Sequence, residues 1–213
     1  REPLAPAWED ATLSLPGDVD LRHPKFNALR FLYLWATVAT HHTEHCDFFM
    51  KADMDAYVNV PALLHKLQGF NASETVYAGM LVHAHGPGYE QWNQFAHGGG
   101  GYVLSRGALV AARGRLLVCL EQVATVRLET IEDMALAACL RKVNVRPQDL
   151  GPVAFDFRGA GDVDRIAAQE PTPLVVHPVE APEMFRLDDA LRARRAEFRT
   201  DAERDTPDQG EKS

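Results

Sequence analysis

Short apolar runs alternate along this chain with stretches of helical period, and that alternation points to the α/β class. Behind Pro24, the residues Phe26, Leu29, Leu32, Trp35 and Ala39 recur at three- and four-residue steps. They predict an amphipathic helix of about four turns with one buried face. Phe48-Phe49-Met50 reads as a strand, Lys51-Ala52-Asp53-Met54-Asp55 as the acidic turn after it, and Asn59 as the cap of a helix carrying Leu63, Leu64 and Leu67. Thr75 to His83 reads as one further strand, followed by a loop holding Tyr89, Trp92 and Phe95 and then by Gly98-Gly99-Gly100-Gly101. Tyr102 to Leu104 is a short strand, and Ser105 caps a helix bearing Leu109, Val110, Ala112 and Leu116. A second helix is expected from Ile131 to Lys142, a buried strand at Leu174 to Val176, and a last helix from about Pro182 to Phe198. Residues 1–23 read as an entry segment with a short strand at Thr12 to Leu15. The expected domain spans 1–198, and 199–213, almost without apolar residues, is expected to be a disordered tail.

Charge and cysteine usage exclude some functions. The formal net charge is -8, and the arginine-rich stretch from Arg192 to Arg199 is interleaved with acid. Such a field repels phosphate backbones, so no nucleic-acid partner is expected. No uncharged apolar run approaches the roughly 18 residues that a spanning helix requires; the longest, Phe31 to Ala39, is half that. Cys46, Cys119 and Cys139 permit one disulfide at most and have no CxxC metal spacing.

Asp53 and Asp55 could bring two carboxylate oxygens to one hard cation. Asp18/Asp20 and Asp162/Asp164 have the same spacing, but only Asp53/Asp55 follows directly on a buried strand, where ligands bind in open α/β sheets. The alternative is a solvated acidic turn. Four consecutive glycines mark either a flexible loop or a close approach of backbone to a ligand, and they fit neither GxGxxG nor a P-loop. Glu132 and Asp133 have a plain reading as acids suited to a helix N-terminus, and His177 as a satisfied core histidine. The clustered His41, His42 and His45 read as a solvated helix end.

The order of these pieces is more specific than any one of them. Phe49 through Val60, then Gly98-Gly99-Gly100-Gly101-Tyr102-Val103-Leu104-Ser105, then Glu132-Asp133 with Cys139-Leu140, then Val176-His177-Pro178 with Pro182-Glu183-Met184, resembles glycosyltransferase family 31, the β1,3-galactosyltransferase and Fringe-like superfamily. The likeness runs from about Lys25 to Leu187. The chain departs from the family pattern at Met54, where acids or Ser are usual, and at Gly99 or Gly100, where Ala or Thr is usual.

The resemblance implies a GT-A fold with a mixed central sheet flanked by helices. It implies Mn2+ or another divalent cation held by Asp55, with Asp53 beside it and His177 as the late ligand, and Asp133 as the base. It places Lys51, Gly98, Gly99, Gly100, Glu132 and Trp92 at the donor or acceptor, with Tyr89 also suited to a sugar face. The reaction implied is inverting transfer of a hexose, galactose first, from a UDP-sugar to a glycan or glycoprotein hydroxyl in β1,3 linkage. A UDP-GlcNAc-dependent relative and a noncatalytic or truncated relative acting as a binding or chaperone protein are the alternatives. Family members are Golgi lumenal, type II membrane proteins, so any membrane contact is expected through an N-terminal anchor that the given sequence does not contain. That setting makes a Cys119–Cys139 bridge and a glycan on Asn71 of Asn71-Ala72-Ser73 further expectations. About a hundred residues usually precede the helix at Lys25 where this sequence has 24, so the first strands of the fold, which hold the uridine, are expected to be missing.

Overall fold

The computed structural model describes residues 27–84, 94–123, 132–155, 157, 159–169 and 171–204. Helix α1 (Asn27–His41) opens the described chain, followed by strands β1 (Phe48–Lys51) and β2 (Tyr57–Val58) and helix α2 (Val60–Leu67). Strands β3 (Tyr77–Gly79), β4 (Leu81–Val82), β5 (Phe95–Ala96) and β6 (Tyr102–Ser105) lead into helices α3 (Arg106–Val123) and α4 (Glu132–Arg141). Strands β7 (Pro147–Asp149) and β8 (Val153–Ala154), a short 3-10 turn into α5 (Val163–Ala167), strand β9 (Val175–Val176) and helix α6 (Ala181–Arg204) complete it.

The strands form three small sheets. The largest has the order β1-β6-β3-β7, antiparallel except for the parallel β3/β7 pair, and is therefore mixed. Along β6 the side chains alternate as the pleat requires: Tyr102 and Leu104 enter one core with α1, α3 and α4, while Val103 enters another with Leu63 and Leu67 of α2. That sheet thus lies between helical layers. The second sheet, β2-β9-β8, packs Tyr57, Ala154 and Val176 against Ile166 of α5 and Leu187 and Leu191 of α6. The third sheet is the β4/β5 pair.

The helix expected behind Pro24 buries Ala28, Leu32, Trp35, Ala36 and Ala39, the stripe that a 3.6-residue period lines up. Removing Leu32 from water contributes about 2 kcal/mol. In α4, every residue from Met134 to Leu140 is buried. Ala135, Ala137 and Ala138 keep that helix thin enough to sit inside the core. Asn59 and Ser105 cap as expected: Asn59 Oδ1 accepts from the Ala62 N–H and Ser105 Oγ from the Ala108 N–H.

Two readings change. The strand expected from Thr75 to His83 is divided at Met80, and its halves pair in different sheets, β3 with β6 and β7, β4 with β5. The last helix runs past Phe198 to Arg204. Thr12 to Leu15, Pro24, Asp18/Asp20, Tyr89, Trp92 and the chain beyond Arg204 lie outside the described residues.

Candidate metal and catalytic site

The pairing of β2 with β9 assembles the site. Tyr57 lies opposite Val176 in antiparallel register, so Asp55, two residues before Tyr57, and His177, one after Val176, emerge at the same end of that sheet. The Val179 N–H donates to the Asp55 carbonyl at 2.6 Å and the His177 N–H to the Ala154 carbonyl at 2.9 Å, which fixes both backbones. His177 Nε2 stands 3.2 Å from Asp55 Oδ1 and 3.8 Å from Asp53 Oδ2. One ligand atom from each of the three residues lies within 4.8 Å of the others.

Two carboxylates and an imidazole suit Mn2+ or a similar divalent ion. The imidazole is held by packing: its Nδ1 is buried without a hydrogen-bond partner among the described residues, and Phe155 meets the ring edge-on at 5.8 Å. Gly99 explains how the ring fits. A Cβ on Gly99 would lie 2.8 Å from His177 Cε1 and 3.0 Å from Nδ1. The three donors therefore fit a divalent cation, with Nε2 the nitrogen beside both carboxylates.

The other glycines are equally constrained. A Cβ on Gly98 would come 2.5 Å from Glu132 Oε1 and 3.2 Å from Lys51 Nζ. Gly101 has φ +68°, in the region that favours glycine, and its N–H closes a turn onto the Gly98 carbonyl at 2.9 Å. All four are buried. The run is a packed turn beside the candidate site rather than a loose loop.

Asp133, in the first turn of α4, reaches the same place through Gly98, whose N–H donates to Asp133 Oδ2 at 2.8 Å. Oδ1 accepts from the Met134 N–H at 2.8 Å, and no ion pair engages Asp133 among the described residues. Each oxygen keeps a lone pair for a proton. A cleft of about 920 Å3 opens beside the acids, walled by Phe31, Tyr33 and Leu34 of α1, by Met54, and by Val179 and Ala181. Met54 is fully exposed at its rim.

Lys51 and Glu132, expected at the donor or acceptor, are buried and paired with each other, at 8% and 7% exposure. Burial alone would push the Lys51 ammonium down, but the Glu132 and Asp53 carboxylates outweigh it and hold it above its ordinary value. Burial lifts the Glu132 carboxyl against the opposing pull of Lys51. Gly100 donates to His97 Nδ1 at 3.2 Å. Asp162, of the rival Asp162/Asp164 pair, is bonded to Arg165 at 2.8 Å.

Tyr102, Trp35, Phe155 and the α1 wall of the cleft were not anticipated as parts of the site. In sequence they look like any core aromatic, and only the Gly98 to Tyr102 contiguity hinted at Tyr102. Cys119 and Cys139 are joined in a disulfide, Cα atoms 5.8 Å apart, while Cys46 is free and exposed. A family model described as Fringe-like matches residues 28–151, more than half of the chain and including Asp53, Asp55, the glycine run and Asp133.

Proposed function

The chain belongs to the Fringe-like family of GT-A glycosyltransferases, and from that membership we propose that it is a metal-dependent, inverting transferase carrying galactose from a UDP-sugar to a hydroxyl of a glycan or glycoprotein, with a β1,3 linkage as product. The observation that carries this reading is the convergence of Asp53, Asp55 and His177 at one sheet end, with Asp133 tied to the same glycine turn. A noncatalytic relative would have no need of these four groups together.

Asp55 Oδ1, Asp53 Oδ2 and His177 Nε2 would hold the cation, which when bound supplies positive charge against the negative charge building on the departing diphosphate. Asp133 takes the proton of the acceptor hydroxyl as that oxygen attacks the anomeric carbon on the face opposite UDP. The bond to the diphosphate breaks as the new C–O bond forms, so one displacement inverts the centre. The Gly98 and Met134 N–H groups aim the carboxylate. The cleft walled by α1 offers apolar surface beside the acids for the nucleotide sugar or the acceptor.

The Cys119–Cys139 bond supports an oxidising compartment, and with family membership it supports work in the Golgi lumen. No helix among the described residues is long and apolar enough to cross a membrane.

The test is UDP release by the full-length protein from UDP-Gal, UDP-GlcNAc and UDP-Glc with Mn2+ and a panel of glycan acceptors, with and without chelator. Turnover highest with UDP-Gal and abolished by chelation is expected. Asp133→Asn should lower kcat by about 10²- to 10⁴-fold while leaving UDP-Gal affinity nearly unchanged. Preference for UDP-GlcNAc would change the sugar, equal loss of donor binding would remove the base role, and no turnover with any donor by the folded protein would remove the enzyme reading.

A further inference from the structure

Beneath the cation site runs a continuous line of buried polar contacts that binding and proton transfer leave unexplained. Trp35 Nε1 donates to the Tyr102 hydroxyl at 3.0 Å, that hydroxyl donates to Glu132 Oε2 at 3.0 Å, and Glu132 Oε1 lies 2.9 Å from Lys51 Nζ. From the same ammonium, Lys51 donates to Asp53 Oδ1 at 2.6 Å and to the Gly98 carbonyl at 3.1 Å. The ammonium thus donates to Asp53 and Gly98 and forms an ion pair with Glu132, whose Oε1 is buried without a hydrogen-bond partner among the described residues. The rings of Phe31 and Tyr102 close over it, their centroids 5.2 and 5.9 Å away. Lys51 thus faces protein groups, with its side chain 7% exposed.

We propose that Lys51, seated on Glu132, is a positioning residue that sets the metal-ligating Asp53 and the base Asp133 at a fixed separation. Its grip on Asp53 Oδ1 turns Oδ2 toward His177 Nε2, and its grip on the Gly98 carbonyl holds the peptide segment whose N–H carries Asp133 Oδ2. Glu132 has a separate electrostatic task. Lys51 and Glu132 cancel in charge, so Asp53 and Asp55 still present two negative charges to a divalent ion. Without Glu132, a bare ammonium would sit 2.6 Å from a ligand carboxylate and oppose the cation. A buried ion pair adds little net stability over apolar side chains of the same volume, which leaves geometry as its use here.

The inference rests on the metal-dependent reading above, and its test separates the two. Mn2+ is titrated calorimetrically into the full chain, alongside melting curves and UDP-sugar turnover. The double variant Lys51→Met/Glu132→Gln removes one charge of each sign, so the net charge of the site is unchanged. Its melting temperature should stay within a few degrees of wild type, while Mn2+ affinity falls about tenfold or more and kcat falls with it. A merely structural pair would move the melting temperature and leave the metal affinity of the folded protein intact. Wild-type Mn2+ affinity and kcat in the folded double variant overturn the proposal. Should that variant not fold, Lys51→Arg keeps the charge and displaces the donor atoms: a tenfold weaker Mn2+ affinity supports positioning, and wild-type affinity overturns it. If the wild-type chain takes up no Mn2+, the metal-dependent reading falls and takes this one with it; uptake by wild type and variants alike sinks this inference alone.

Discussion

Gly99 is the residue on which the imidazole of the site depends most directly. His177 occupies the space that any other residue at position 99 would need for its Cβ. Gly99→Ala must therefore displace the ring, whose Nε2 now stands 3.2 Å from Asp55 Oδ1. The expected outcome is a loss of about 1 to 3 kcal/mol of stability from overpacking. Mn2+ affinity should drop by about tenfold or more, because a displaced ligand no longer converges with the carboxylates. Calorimetric titration beside a urea unfolding curve checks both. An unchanged Mn2+ affinity would mean that His177 does not ligate. In the sequence Gly99 is one of four identical letters, and their number suggests flexibility; only the packing of each against its own neighbours reveals that they are held for separate reasons.

Among the elements, α6 is fastened to the β2-β9-β8 sheet partly through one polar tie. The Tyr57 hydroxyl in β2 donates to Asp188 Oδ1 at 2.8 Å, and Arg192, one turn on, bonds Asp188 Oδ2 at 2.6 Å. Burial would raise the Asp188 carboxyl, but the Tyr57 hydroxyl and the Arg192 guanidinium hold it below 3.8. Burial, reinforced by Asp188, raises the Tyr57 hydroxyl above 10.0. The signs follow from linkage. Asp188 contributes stability that is present above pH 3.8 and lost as pH falls through its lowered value. Tyr57 contributes stability that is present below pH 10.0 and lost as pH rises through its raised value. Tyr57→Phe should cost about 1 kcal/mol, since Asp188 is partly exposed and water replaces the lost donor. That deficit should be flat between pH 3.8 and 10.0 and shrink at both ends, as read from urea unfolding at stepped pH. A deficit independent of pH would mean that the tie is packing alone. The elements themselves were mostly legible: periodicity located α1, caps located α2 and α3, and β1, β6 and β9 stand where apolar runs predicted them. Two-residue strands such as β2, β5 and β8 carry no period to read, and β2 is the one that brings Asp55 to His177.

For the molecule as a whole, the Cys119–Cys139 bond ties α3 to α4 across a separation of 20 residues. In the chain-entropy model a loop of that length contributes about 3 kcal/mol. Cys119→Ala/Cys139→Ala should lose about that much in equilibrium unfolding, and a loss well under 1 kcal/mol would assign the α3/α4 contact to apolar packing instead. The candidate site was legible as a set of side chains, because Asp53, Asp55, Asp133 and His177 follow a recognisable order. The pairing of Lys51 with Glu132 was not legible, since a motif records that a charge is present and not which neighbour it meets. The pairing of Asp55 with His177 across β2 and β9 also has a consequence for biosynthesis. A ribosome delivers the two aspartates more than a hundred residues before the histidine, so the nascent chain carries an acidic turn long before it can offer a complete coordination sphere. If the three residues hold a cation, its tight uptake waits until β9 has been translated and docked, so metal loading would report that synthesis has passed His177.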